Sequence, residues 1–294
     1  MSSFWHWYVV LLTLGNIYAC FWLVRWATRK RSNEAAEGDV TGHSWDGLEE
    51  YNNPLPRWWL WLFYITIVFS LVYIVLYPTI GNYQGVLNWS SDSEYQQEMG
   101  EADAKYGPIF AGLAQQDVAV LAADKKATQI GQRLFLNYCA TCHGSDAGGG
   151  AGFPNLRDKD WLYGGSAEAI KTSIMHGRRG MMPPWGAALG EQGVDEVTTY
   201  VMSLSGRQVD AAKASAGKTR FNMMCVACHA ADGSGNQAMG APNLTDKIWL
   251  YGGSEKAIQA SIRDGRSGVM PAHKDFLGED KVHVLAAYVY SLSK

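Results

Sequence analysis

Basic tracts and cysteine are both scarce in this chain of 294 residues. The 25 Lys and Arg residues stand against 28 Asp and Glu and form no long basic run, so the composition argues against a nucleic-acid partner. Five cysteines are too few to hold a chain of this length together as a disulfide scaffold. The length predicts two domains, or more than two small ones.

Charged residues are missing from two long segments. Residues 4–26 contain no charge before Arg25, and residues 58–77 contain none at all. As helices, both are long enough to cross the roughly 30 Å of a bilayer's hydrocarbon core. We interpret them as transmembrane helices rather than buried core helices. A cleaved signal peptide is disfavoured for the first, which lacks a basic start and a small-residue cleavage site.

The charges that flank these segments predict their orientation. Basic residues follow the first segment and precede the second, and none occurs between the second segment and Lys105. The basic residues in question are Arg25, Arg29, Lys30, Arg31 and Arg57. Because cytoplasmic loops carry the excess of Lys and Arg, the loop should be cytoplasmic. We therefore expect a protein of the bacterial inner membrane with two spans, and with both termini and the large C-terminal part in the periplasm.

An internal repeat organises the C-terminal part. Residues 155–166 match residues 243–254 at an offset of 88, and the offset is 86 further upstream. Helical patterns recur in both copies and little strand patterning is visible, so the predicted fold class is all-α. The predicted organisation is a first transmembrane helix at 1–27, a cytoplasmic loop at 28–57, a second transmembrane helix at 58–78, a periplasmic connector at 79–128, and two repeat domains at 129–206 and 207–294.

Each repeat contains a CxxCH motif, the attachment signature of c-type haem. The two thiols bond to the haem vinyl groups, and the histidine that follows becomes the proximal iron ligand. Read alone, the motif also fits a zinc site or a redox CxxC. Its occurrence in two matching, exported copies favours two covalently bound haems c, at Cys139, Cys142 and His143, and at Cys225, Cys228 and His229.

A Met-Pro pair in each repeat supplies a candidate sixth iron ligand. Met182 and Met270 align in the repeat, whereas Met181 aligns with Val269, so the register favours the former two as ligands over core filler. An iron held by His and Met has no open site, so such a haem conducts electrons. The sequence leaves open whether each methionine serves its own domain's haem or that of its neighbour.

Other repeated residues have predicted supporting roles. The carbonyls of Pro154 and Pro242 lie 11 and 13 residues past the motif histidines and are expected to accept their Nδ1–H. Aligned Trp and Arg residues are candidates for binding haem propionates, with packing and surface roles as the alternative. These are Trp161, Trp249, Arg178 and Arg266. His273, three residues past Met270, is a candidate for the haem edge.

The segment DGLEEYNNPLPRWW at 46–59, followed by a span and two CxxCH domains, resembles the dihaem CcoP/FixP subunit of cbb3-type cytochrome c oxidases. The resemblance covers nearly the whole chain. It implies the class I cytochrome c fold for each repeat, so the expected architecture is the two-helix transmembrane hairpin followed by two class I cytochrome c domains. It also implies electron transfer, by way of a monohaem subunit, toward the haem–copper catalytic subunit, with soluble cytochromes c as further donors. Residues 4–26 depart from family members that have one anchor.

Two other functions are compatible with CxxCH domains on a membrane anchor. One is a cytochrome c subunit that takes electrons from a periplasmic dehydrogenase, and the other is a sensor that uses haem as a ligand site. The DGLEEYNNPLPRWW segment ahead of a span argues against the dehydrogenase subunit, and the Met-Pro pair in each repeat argues against the sensor. We expect no oxygen-reducing site in this chain, which would act only as an electron-transfer subunit of an oxidoreductase complex.

Overall fold

A computed structural model describes residues 1–32 and 34–294. The chain is mostly helical and divides into two compact units, Met1–Asp103 and Ala104–Lys294. The prediction of an all-α fold is wrong in one respect, because the structure contains four short strands arranged as two antiparallel pairs. Helices nevertheless supply nearly all of the packing in the second unit, where the repeats lie.

The first unit contains the two apolar segments, as helices α1 (Ser3–Ala27) and α2 (Arg57–Leu76). Both are long and apolar enough to cross a membrane, and only 6% and 0% of their most apolar stretches are buried. A core helix of a soluble protein would be mostly buried, so this exposure fits helices that lipid covers. Helix α2 ends two residues before Pro78, as the sequence indicates.

Helix α1 contacts the α2 segment near both of its ends. The Phe21 and Tyr64 rings lie 6.0 Å apart between centroids. At the other end, His6 Nδ1 accepts a hydrogen bond of 2.9 Å from the backbone N–H of Asn82, just beyond α2. The Asn82 side chain also donates to the Met1 carbonyl at 3.2 Å. The extra N-terminal helix is therefore packed on the rest of its unit.

A hairpin lies between these helices. Strands β1 (Val40–Trp45) and β2 (Leu48–Tyr51) pair antiparallel. They are joined through Asp46 and Gly47, with φ of 48° and 86°. Two successive positive φ angles are typical of the tight hairpin turn that favours Asp-Gly. The Asp-Gly dipeptide is a sequence signal for these strands, which lie within the segment 28–57 predicted to be a loop.

The second unit carries the repeated elements. Its strands β3 (Arg178–Met182) and β4 (Arg266–Met270) come from different repeats and pair antiparallel with each other. Its helices are α3 (Ser91–Ala114, which starts in the first unit), α4 (Val118–Leu121), α5 (Lys125–Tyr138), α6 (Ala140–His143), α7 (Ala167–His176), α8 (Gly186–Leu204), α9 (Ala211–Met224), α10 (Val226–His229), α11 (Glu255–Asp264), α12 (Lys274–Leu277) and α13 (Glu279–Leu292).

Local signals explain where several of these helices begin and end. Ser166 and Ser254 cap α7 and α11. Each serine hydroxyl accepts a hydrogen bond of 3.2 Å from the backbone N–H of the residue three positions later. The same helices stop at Gly177 and Gly265, whose φ angles of 70° and 74° favour glycine. A serine before each helix and a glycine after it therefore mark the ends of α7 and α11 in the sequence.

The apolar side chains of the second unit form two separate clusters. We call the cluster built from residues 113–175 and 270–292 the first core, and the cluster built from residues 182–204 and 221–262 the second core. Each core therefore combines the early part of one repeat with the closing helix of the other. Helix α13 packs on α5 in the first core, and α8 packs on α9 in the second.

Both helix crossings depend on a glycine. A methyl group on Gly131 of α5 would lie 2.5 Å from Tyr288 Cβ and 2.9 Å from the Val284 carbonyl of α13. Gly217 of α9 makes the matching close approach to the Glu196 carbonyl of α8. Because no side chain separates the helices at these points, their backbones come nearly into contact. The aromatic residues one turn further on can then pack across the crossing.

Candidate functional site

Each CxxCH motif forms the same short turn at the end of a long helix. Cys139 closes α5 and begins the single turn α6, which ends at His143, and Cys225 does the same between α9 and α10. The His143 and His229 side chains are buried. Cys139 and Cys225 pack against the first and second cores respectively. Each motif thus places two thiols and one imidazole at the edge of an apolar core.

The motif histidines are oriented by backbone carbonyls. Nδ1 of His143 lies 3.0 Å from the Pro154 carbonyl, and Nδ1 of His229 lies 3.1 Å from the Pro242 carbonyl. The predicted roles of both prolines are confirmed. A carbonyl can only accept, so Nδ1 carries the proton and Nε2 keeps a free lone pair. Burial lowers the pKa of both histidines, which favours the neutral imidazole that a metal requires.

The cysteines do not resemble those of a redox CxxC pair. Burial raises the pKa of Cys139 and of Cys225 to about 11, and the neighbouring cysteine of each motif adds to the effect. Reactive thiols in redox motifs need a lowered pKa, because the thiolate is the nucleophile. These buried thiols would stay protonated at neutral pH. Within residues 1–32 and 34–294, no group of three or more metal-binding side chains is assembled for the zinc alternative.

Each candidate methionine ligand packs against the core that holds the CxxCH motif of the other repeat. Met270 packs against the first core, which contains Cys139, whereas Met182 packs against the second core, which contains Cys225. The methionines end strands β3 and β4, in which Arg178 pairs with Met270 and Met182 with Arg266. Strand pairing between the repeats therefore carries each methionine toward the other repeat's histidine.

Backbone hydrogen bonds hold both crossed segments in place. The His273 N–H donates to the Ile174 carbonyl at 3.1 Å, which fixes the segment after Met270 on α7 of the first core. The Trp185 N–H donates to the Ile262 carbonyl at 2.9 Å, which fixes the segment after Met182 on α11 of the second core. His273 also lies close enough to lower the pKa of His143 electrostatically. The first core thus brings Met270 and His273 toward His143.

Several buried polar atoms at these sites have no partner within the described chain. They are Nε1 of Trp249, the hydroxyl of Tyr163 and Nδ1 of His273. Buried polar groups are normally hydrogen-bonded, so unpaired ones call for a bound group. A haem brings two propionates, each able to accept such bonds. The free imidazole Nε2, the two thiols of each motif, the Trp249 N–H and the Tyr163 hydroxyl fit that cofactor.

Arg178 and Arg266 occupy equivalent environments. Their guanidinium carbons each lie 4.6 Å from a ring centroid, that of Tyr163 for Arg178 and that of Tyr251 for Arg266. Each Nε donates at 2.9 Å to a helix serine, Ser173 or Ser261. Neither tyrosine was among the predicted site residues, although both lie in the repeated WLYGGS segment, which could have indicated them. A propionate contact for either arginine stays a prediction.

Comparison with known proteins agrees with this geometry. The sequence model described as "Cytochrome C oxidase, cbb3-type, subunit III" matches residues 126–201 and 212–289, so each match contains one CxxCH. The model described as "N-terminal domain of cytochrome oxidase-cbb3, FixP" matches residues 37–84. The chain belongs to this cbb3-type oxidase subunit family. Membership implies haem c as the cofactor.

Individual relatives span nearly the full chain. A CcoP subunit of Rubrivivax gelatinosus is 45% identical, over 100% of this chain and 96% of its own length. A CcoP subunit of Cereibacter sphaeroides is 39% identical, over 90% and 98%. A FixP subunit of Sinorhizobium medicae is 40% identical, over 90% and 97%. The resemblance expected from the hairpin segment and the repeated CxxCH motifs is confirmed.

Proposed function

We propose that this chain is the membrane-anchored dihaem c-type cytochrome subunit of a cbb3-type oxidase and passes electrons toward the subunit that reduces oxygen. The observation that carries the proposal is the pair of buried CxxCH turns, each with its histidine fixed by a proline carbonyl. Both occur in a chain whose family implies haem c. Homologues named as CcoP and FixP support the oxidase over a dehydrogenase subunit.

Two haems c would be held, one in each core of the second unit. The first would be attached at Cys139 and Cys142 with His143 as proximal ligand, and the second at Cys225 and Cys228 with His229. The core packing supports an exchange of the sixth ligands, with Met270 completing the first site and Met182 the second. The strand pair β3–β4 would then tie the two sites together.

The residues of this chain set what such haems can do. A bound haem c supplies an iron that gains and loses one electron. The proline carbonyls keep each imidazole in the tautomer that presents Nε2. A methionine ligand would favour the reduced iron and leave it no open site, so the chemistry that such a haem would supply is electron transfer. Two such sites in one folded unit would relay electrons.

The membrane arrangement is the second part of the proposal. Helices α1 and α2 would anchor the chain, with the β1–β2 hairpin in the cytoplasm and the haem domains in the periplasm, as the flanking basic residues indicate. Partners would be the haem–copper catalytic subunit and a monohaem cytochrome c subunit. Soluble cytochromes c are further candidate donors.

Affinity purification of the full-length chain from its own membranes tests the proposal. The pyridine haemochrome assay should give two haems c per chain, and haem b and copper should co-purify with it. A chain with Cys225→Ala and Cys228→Ala is the matched control and should carry one. Fewer than two haems in the wild type would refute the cofactor assignment. A flavoprotein or quinoprotein partner in place of haem b and copper would refute the oxidase role.

Orientation needs a separate measurement. A reporter that is active only in the periplasm should be active when fused after Lys294. The same reporter inserted at the Asp46-Gly47 turn should be inactive, because that turn is placed in the cytoplasm. The opposite pattern of reporter activity would refute the orientation that the flanking basic residues indicate.

A further inference from the structure

One arginine of the second core lies beside Trp249 and has no charged counterpart in the first repeat. Arg207 lies in the loop between α8 and α9, and its Nη1 donates a hydrogen bond of 2.5 Å to the Gly253 carbonyl. Its guanidinium carbon lies 5.6 Å from the centroid of the Trp249 ring. Within the described residues, Nη1 is the only atom of this guanidinium that makes a hydrogen bond. Its other N–H groups remain available to a ligand.

Trp249, the neighbour of Arg207, also has a hydrogen-bond donor without an acceptor. Trp249 packs against the second core, as Met182 and Cys225 do, yet its Nε1 is buried without a hydrogen-bond acceptor. The approach of both side chains depends on Gly253. A Cβ at that position would lie 2.9 Å from Arg207 Nη2 and 2.6 Å from Trp249 Cδ1. The chain thus aligns a cation and an indole N–H on the same side of a glycine.

The first core has no cation at the equivalent position. Asp124 and Asp210 are the N-cap residues of α5 and α9, which fixes the repeat offset at 86 in this region. Three residues before these caps stand Leu121 in the first repeat and Arg207 in the second. Leu121 is fully buried among apolar side chains of the first core. The difference is therefore an apolar side chain exchanged for a positive charge.

We propose that Arg207, together with the Trp249 N–H, binds a propionate of the haem held at His229 and raises the reduction potential of that haem. The inference rests on the proposed haem site and adds a ligand-binding residue that only one of the two sites possesses. The class of ligand follows from the donors. A guanidinium beside a buried N–H recognises a carboxylate, and haem c presents two of them.

The effect on potential follows from electrostatics. Reduction adds an electron to the haem, so a nearby positive charge stabilises the reduced form more than the oxidised form. The interaction is strengthened where Arg207 is partly shielded from water by Trp249 and Gly253. Since Leu121 provides no charge, the haem at His143 lacks this contribution. The presence of Arg207 in place of a leucine would therefore raise the reduction potential of the haem at His229 relative to that of the haem at His143.

Potentiometric titration of the purified full-length chain tests the proposal, with the two haems resolved as two one-electron components. Arg207→Leu should lower the potential of one component and leave the other unchanged. We expect at least a tenfold change in the reduction equilibrium of that haem, which corresponds to about 59 mV. Arg207→Lys keeps the charge and should recover most of the lost potential. Lys218→Leu removes an exposed charge near Arg207 and should move neither component.

The outcomes separate this inference from the proposed function. If the wild-type chain carries fewer than two covalent haems, the proposed function fails before Arg207 is tested. If two haems are present and Arg207→Leu changes neither potential, or changes both equally, the proposed role of Arg207 is wrong. Should Arg207→Leu fail to fold, Arg207→Gln provides the same removal of charge with a polar side chain of similar length.

Discussion

The two cores of the second unit share one architecture but join their helices by different chemistry. In the first core, Leu134 of α5 occupies the place that Arg220 of α9 takes in the second, and Val284 of α13 occupies that of Glu196 of α8. The second core therefore has an ion pair of 2.7 Å where the first has two apolar side chains. The repeat preserves the crossing of the helices and leaves the contacts around it free to change.

The same contrast appears about two turns earlier on α9. Lys213 pairs with Asp195 across the second crossing, at 2.5 Å. The first core has Ala127 and His283 at these places, and His283 Nε2 bonds instead to the Gln116 carbonyl at 2.8 Å. The close backbone approach at Gly131 and Gly217 is common to both helix crossings. The charged side chains differ, so the stability of the two cores should depend differently on salt and pH.

The largest effect is expected where the two cores agree. Phe135 packs on Tyr288 with ring centroids 5.5 Å apart, and Phe221 packs on Tyr200 at 5.2 Å. Both phenylalanines are at most 1% exposed, and each contacts a tyrosine from the other repeat. Phe135→Ala and Phe221→Ala should each cost about 3–5 kcal/mol of unfolding free energy, through lost burial and the cavity left behind.

Hydrogen exchange read by mass spectrometry can locate that loss. Phe135→Ala should expose α5 and α13, and Phe221→Ala should expose α8 and α9. Loss of protection confined to one sequence repeat would contradict the exchange of closing helices between the cores.

An intermediate effect is expected from transplanting the first core's chemistry into the second. Arg220→Leu alone leaves the mostly buried carboxylate of Glu196 without its cation and should destabilise the second core. The double variant Arg220→Leu with Glu196→Val restores the residue pair of the first core and should recover much of the loss. Denaturant titrations at low and high salt measure both. An unrecovered double variant would show that the two crossings are not equivalent.

A smaller effect is expected on acidification. Hydrogen bonds from Arg220 and then Gln192 hold the pKa of Glu196 below its ordinary value, and Arg263 does the same for Glu191. The stabilisation is therefore complete above the unfolded pKa of about 4.5 and is lost as the pH falls through the lower folded value. Lys274 likewise lowers the pKa of Glu279, but that pair joins neighbouring helices of one segment.

Protection of α8 and α9 against hydrogen exchange measures this loss, after correction for the intrinsic pH dependence of exchange. It should fall earlier than protection of α5 and α13 as the pH drops below about 4.5. The variant Glu196→Val with Arg220→Leu serves as the control, since its second crossing no longer contains that ion pair. Equal loss in both cores of the wild type would mean that these ion pairs contribute little.

The sequence predicted the helix ends and the histidine–carbonyl hydrogen bonds better than the way in which the repeats assemble. Ser166 and Gly177 mark the ends of α7, and the spacing from His143 to Pro154 correctly indicated a hydrogen bond. These features depend on local contacts. The periplasmic orientation and the iron-binding roles of Met182 and Met270 stay predictions.

The exchange between repeats was not predicted, because the apolar pattern of each closing helix fits either repeat. The charges carried the missing signal, since only the exchanged arrangement pairs Arg220 with Glu196 and Lys213 with Asp195. Strands β3 and β4 were missed for a related reason. Each has only five residues, including a glycine, and its partner lies 88 positions away in the repeat. Arg207 was not among the predicted site residues, because its counterpart Leu121 lies before residue 129, where the predicted repeat begins.

The exchange of methionine ligands is tested most directly in a chain that retains one haem. Cys225→Ala with Cys228→Ala leaves the haem at Cys139 and Cys142, and the near-infrared absorption band of methionine-ligated ferric haem then reports on that site alone. In this background, Met270→Leu should abolish the band and Met182→Leu should leave it intact. Loss of the band with Met182→Leu, and its survival with Met270→Leu, would contradict the account.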